Sequence, residues 1–110
     1  MDSGNLLYMR PIAKPYVKTS VINDQLNLVV NHNQWLNRLA TKLFRVPDKT
    51  YIALDSQGAY VWQHCTGQFT IIDIMEAMRK QFGTDAEPVL ERLVVFMQLL
   101  ARNQLIIIKR

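Results

Sequence analysis

The chain contains a single cysteine, Cys65, so it can form neither an internal disulfide nor a paired-cysteine zinc site. That usage suits a reducing compartment, and we expect a cytoplasmic protein. Only two histidines are present, His32 and His64, and neither has a convincing set of companion metal ligands. His64 and Cys65 are adjacent, so on a helix their side chains diverge by about 100° and do not make a nucleophile and base pair. Of the four glycines, Gly58 and Gly67 belong to no phosphate-binding motif. Long apolar runs are also missing. Leu6, Leu7, Tyr8 and Met9 are too few before Arg10 and Pro11 to act as a signal sequence, and no stretch is long enough to span a membrane.

What is present fits one small domain. At 110 residues and 49% hydrophobic, the chain can bury a single core, with no room for a separate catalytic domain. A net charge of +4 permits nucleic-acid or acidic partners without requiring them. Residues 1–15, interrupted by Pro11 and Pro15, are expected to be a mobile or late-docking arm. The domain proper is then 16–110. Tyr16 to Ile22 and Leu26 to Val30 read as strands of a hairpin turned by Asn23, Asp24 and Gln25. Trp35, Leu36, Leu39, Ala40, Leu43 and Phe44 recur at helical spacing until Pro47 intervenes.

Tyr51, Ile52, Ala53 and Leu54 form a third strand, entering a turn at Asp55 and Ser56. A helix follows, with Ala59, Tyr60, Val61, Trp62 and Cys65 on its apolar side and Gly67 as its left-handed end. Thr70 and Asp73 make a capping box for a second helix that Gly83 closes. Thr84 and Glu87 predict another box, with Pro88 in the first turn of the last helix. Successive steps of about 100° put Val89, Leu90, Leu93, Val94, Phe96, Met97, Leu100 and Ala101 on its core face. Val95 and Leu99 fall on the opposite side among Glu91, Arg92, Gln98 and Arg102, as a second narrow apolar stripe. Leu105 to Ile108 read as a short terminal strand.

Leu54-Asp55, Gly58-Ala59, Val61-Trp62, Thr66-Gly67, Thr70-Ile71-Ile72-Asp73-Ile74 and Phe82-Gly83 resemble the PqqD-like proteins, the family of pyrroloquinoline quinone (PQQ) biosynthesis protein D, also called RiPP recognition elements. The resemblance runs from about Tyr16 to the C-terminus. It departs from the family at Thr66, where an acidic residue is common, and at Asn33–Phe44, a helical insertion that minimal members lack. It implies an α+β, winged-helix-like domain with a three-stranded antiparallel sheet, that helical insertion and a compact three-helix C-terminal part. It also implies a non-catalytic, cofactor-free module that binds the leader of a ribosomally made precursor peptide for a separate modifying enzyme, often a radical S-adenosylmethionine (SAM) enzyme.

Carried onto this chain, the peptide-binding residues are the third strand, Tyr51, Ile52, Ala53 and Leu54, and the last-helix line Arg92, Val95, Leu99 and Arg102. The physical basis is strand addition: an edge strand offers unpaired backbone groups, and alternate peptide side chains enter a neighbouring groove. A competing reading packs Val95 and Leu99 under the N-terminal arm or the terminal strand. Trp62 is assigned to the core, and Asp24, Asp55 and Asp73 to turns and caps. A winged-helix DNA-binding protein is the runner-up, with Arg92, Arg102, Lys109 and Arg110 on phosphates, but Asp85 and Glu87 at the start of the last helix oppose it. A third reading is an oligomeric adaptor or homodimer paired through Leu105 to Ile108.

Overall fold

The computed structural model describes residues 6–31 and 49–110, which fall into two compact units. One consists of the described residues of Pro15–Ser56, the other of the described residues of 1–14 together with Gln57–Arg110. The helix expected over Trp35 to Phe44, and with it the insertion Asn33–Phe44, lies outside the described residues.

The first unit is a three-stranded antiparallel sheet of β2 (Val17–Ile22), β3 (Gln25–Asn31) and β4 (Lys49–Ala53), in the order β2-β3-β4. The hairpin turn is one residue shorter than the sequence suggests. Gln25 pairs with Ile22, leaving Asn23 and Asp24 as the two turn residues, with φ of 53° and 63°. Positive φ at both central positions matches the right-handed twist of the strands, and Asn and Asp tolerate it better than most residues. Alternation places Val17, Leu28 and Leu54 on one face, and all three are buried.

The second unit contains β1 (Arg10–Ala13), α1 (Ser56–Gln63, whose first residue is assigned to the sheet unit), α2 (Ile71–Phe82), a 3₁₀ turn (Gly83–Ala86), α3 (Val89–Arg102) and β5 (Ile106–Lys109). β1 and β5 pair antiparallel, from Arg10 opposite Lys109 to Ala13 opposite Ile106. Four residues of the expected arm are therefore a strand, held by a partner nearly the whole chain away. Val61, Trp62, Ile71, Ile74, Met78, Val89, Leu93, Met97 and Leu100 are buried, each side chain contributing about 1.5–3 kcal/mol by the usual area scaling.

Two expected helix boundaries need correction. α1 ends at Gln63, four residues before Gly67. Gly67 does adopt a positive φ of 86°, but in the α1–α2 connection, where Thr66 bridges Ile12 and the Gly67 N–H donates to the Pro11 carbonyl at 2.9 Å. Thr84 and Glu87 do not form a capping box. Thr84 lies inside the 3₁₀ turn and Pro88 is the N-cap of α3, without a side-chain cap. The Thr70–Asp73 box is complete: Asp73 N–H donates to Thr70 Oγ1 at 3.1 Å and Thr70 N–H to Asp73 Oδ2 at 3.0 Å. Gly83 closes α2 at φ 59°, its N–H donating to the Arg79 carbonyl.

Candidate functional site

In β4, Asn27, Leu28 and Val29 of β3 stand opposite Ala53, Ile52 and Tyr51. Just past the strand, Leu54 N–H donates to the Leu26 carbonyl at 2.8 Å. In an antiparallel ladder, residues alternate between bonding the neighbouring strand and facing away from it. Leu54 and Ile52 therefore turn their backbone groups toward β3, and Tyr51 and Ala53 turn theirs to the outer edge, which no other strand occupies among the described residues. The four expected positions thus split. Tyr51 and Ala53 carry the outward groups, the Tyr51 side chain is 54% exposed, and Leu54 is buried.

On α3, in the other unit, Val95 is 63% and Leu99 51% exposed. Neither β1 nor β5 covers them, and residues 1–5 of the expected arm lie outside the described residues. Leu90, expected in the core, is exposed, while Val94, Phe96 and Ala101 are half-buried. The two arginines of the line differ in their surroundings. Arg92 uses Nη1 to donate to the carbonyls of Asp85 at 3.2 Å and Ala86 at 3.3 Å, so it closes the 3₁₀ turn ahead of α3. The Gln57 side-chain amide donates to the same Asp85 carbonyl at 2.9 Å. Arg102 lies exposed in the last turn. Neither Gln57 nor this use of Arg92 is legible from spacing, since both act on backbone carbonyls distant in sequence or outside the helix.

Glu87 does the work expected of Thr84. One carboxylate oxygen accepts from Arg79 Nε at 2.9 Å and the other from the Val89 N–H at 3.3 Å. First the Arg79 hydrogen bond, then that of Val89, hold the Glu87 carboxyl below the ordinary carboxylate range. Arg79, on α2, and Glu87 are both solvent-exposed, so the pair is screened.

The polar groups that could suggest catalysis have structural surroundings. Cys65 is buried, its Sγ–H donating to the Val61 carbonyl at 3.4 Å, and burial pushes its thiol up to about 12. His64 Nδ1–H donates to the Tyr60 carbonyl at 2.7 Å, and its ring lies 4.5 Å from that of Tyr60 and 5.0 Å from that of Phe69. Trp62 is buried as expected. Among the described residues, no group of His, Cys, Asp and Glu is arranged to hold a metal ion, and no helix is long and apolar enough to cross a membrane.

Comparison with protein families finds a match over residues 35–106 to the model described as "Coenzyme PQQ synthesis protein D (PqqD)". Neither the comparison with curated proteins nor that with solved structures gives a match. The matched stretch includes β4, all three helices and the first residue of β5, and omits the β2–β3 hairpin. It also includes residues 35–44, most of the segment that the resemblance marked as an insertion. With most of its length matched, the chain belongs to the PqqD family of accessory proteins, which work with peptide and enzymes in the biosynthesis of PQQ and related ribosomal peptide products.

Proposed function

We propose that this chain is a non-catalytic adaptor that binds the leader of a ribosomally made precursor peptide in the cytoplasm and presents it to a modifying enzyme of the radical SAM class. The observation that carries the reading is the outer edge of β4, unpaired among the described residues, where Tyr51 and Ala53 offer backbone donors and acceptors to an extended peptide. Main-chain pairing there supplies affinity. The exposed pair Val95 and Leu99 supports a second contact, on α3, for apolar leader side chains. Arg102 favours an acidic neighbour there, and Arg92 has its remaining guanidinium nitrogens for the same use. The buried, high-pKa Cys65 and the carbonyl-bonded His64 support a protein that binds without transforming.

The test uses the leader of a short precursor encoded beside a radical enzyme gene, titrated into the full chain by calorimetry and followed by backbone NMR. Ala53→Pro deletes an outward N–H without touching the β3 ladder, and should weaken binding about tenfold or more, on the scale of a lost hydrogen bond plus misfit. Val95→Ser with Leu99→Ser should weaken it separately while the melting temperature stays within a few degrees. Unchanged affinity in both variants, with perturbations away from β4 and α3, would refute the assignment.

A further inference from the structure

A second strand edge, on β5, is open in a different way. Lys14 N–H donates to the Leu105 carbonyl at 3.0 Å, which makes Ile12 with Ile107 and Arg10 with Lys109 the mutually bonded pairs. The intervening residues face outward. On β1 these are Pro11 and Ala13, and the α1–α2 connection bonds each of them: Ala13 N–H donates to the Cys65 carbonyl at 2.9 Å and the Pro11 carbonyl accepts from Gly67 N–H at 2.9 Å. On β5 they are Ile106 and Ile108. No strand and no hydrogen bond reaches their outward N–H and C=O groups among the described residues.

The side chains at this edge have a definite chemistry. Alternation puts Pro11, Ala13, Ile106 and Ile108 on one face, where Pro11 and Ile106 are buried. Arg10, Ile12, Ile107 and Lys109 share the other, where Ile107 is 48% exposed. Arg10 stands directly opposite Lys109, both exposed, and Arg110 follows. Like charges across a ladder repel. Among the described residues no ion pair neutralises them, and Arg10 is tied only by a 3.4 Å hydrogen bond to the Gln68 carbonyl.

We propose that the outer edge of β5 captures, by strand addition, an extended acidic segment of a partner protein, with an apolar residue beside Ile107 and a carboxylate beside Lys109. The segment satisfies the backbone groups of Ile106 and Ile108 and neutralises the Arg10–Lys109 pair. A second copy of the chain is the poorer occupant, because it brings the same cations and a further net charge of +4. This surface is independent of leader binding at β4 and stands if that reading fails.

The probe is a short capped peptide of repeated Val-Thr-Glu-Thr, which sets valine and glutamate two residues apart on one face, titrated into isotopically labelled full-length chain, with the Val-Thr-Lys-Thr peptide as control. The glutamate peptide should shift the amides of Ile106 and Ile108 and slow their hydrogen exchange. Lys109→Glu with Arg110→Glu, at exposed positions, should lower affinity about tenfold at low salt and less at high salt. Ile108→Pro should also weaken binding, since it removes an outward N–H and leaves the β1 bonds in place. Equal affinity for the lysine peptide, shifts confined to Tyr51 and Ala53, or a peptide-free dimer that already protects the Ile106 and Ile108 amides would each overturn the proposal.

Discussion

A methyl group added at Gly67 would stand 2.9 Å from both Cγ1 and Cδ1 of Ile12, at a backbone φ of 86° that already disfavours a side chain. Gly67→Ala should therefore destabilise the fold by about 2 kcal/mol, combining left-handed strain with displacement of a β1 side chain. Gly83→Ala, where nothing lies within 4 Å of the added carbon, should cost less, and urea denaturation of the two variants gives the ordering. Cys65 offers a chemical check at the same scale. With its thiol pushed up to about 12, the native protein should resist alkylation in mild alkali and react once unfolded, as intact mass will show. Because the folded thiol holds its proton longer than the unfolded one, stability should be full below the ordinary thiol pKa and decline as pH rises toward about 12. The sequence made Gly67's positive φ legible through the glycine itself. Its contact with Ile12 was not, since nothing local connects residues so far apart.

Elements whose ends are fixed by neighbours in sequence were readable, and those fixed from a distance were not. The Thr70–Asp73 box satisfies the α2 terminus within four residues, and Thr70→Ala should cost about 1 kcal/mol in thermal or urea unfolding. The same spacing at Thr84 and Glu87 misled, because Arg79 draws the Glu87 carboxylate and the chain between them tightens into a 3₁₀ turn. A carboxyl held below its ordinary range contributes stability that is present above the unfolded pKa and lost as pH falls through the folded one. Glu87→Gln should thus lower the melting temperature at neutral pH and converge with the parent protein in acid. Of the candidate site, the β4 strand and the outward Val95–Leu99 stripe followed from periods of two and 3.6. Which β4 residues face outward required the register with β3, and the holding of Arg92 by the Asp85 and Ala86 carbonyls required the turn.

On the scale of the molecule, β1 binds the chain's beginning into the unit that holds the three helices. Its sequence, Arg10-Pro11-Ile12-Ala13, is short and carries a proline, so it reads as an arm. It survives as a strand because Pro11's missing N–H falls where no ladder bond is needed, facing away from β5. Several groups depend on it. The Met9 carbonyl accepts from the Ile71 N–H at 3.0 Å, satisfying an orphan donor in the first turn of α2, and Met9 itself is buried. Ala13 and Pro11 bond the α1–α2 connection, and β5 has no other strand partner among the described residues. Deleting residues 1–14 should consequently cost roughly 3 kcal/mol or more, the burial of Met9 alone accounting for about 1.5–3. Urea unfolding followed by the fluorescence of buried Trp62 measures the loss. Hydrogen exchange should place the earliest opening at Ile106–Lys109 and the start of α2, whereas an arm merely resting on the surface would leave both the midpoint and the exchange pattern unchanged.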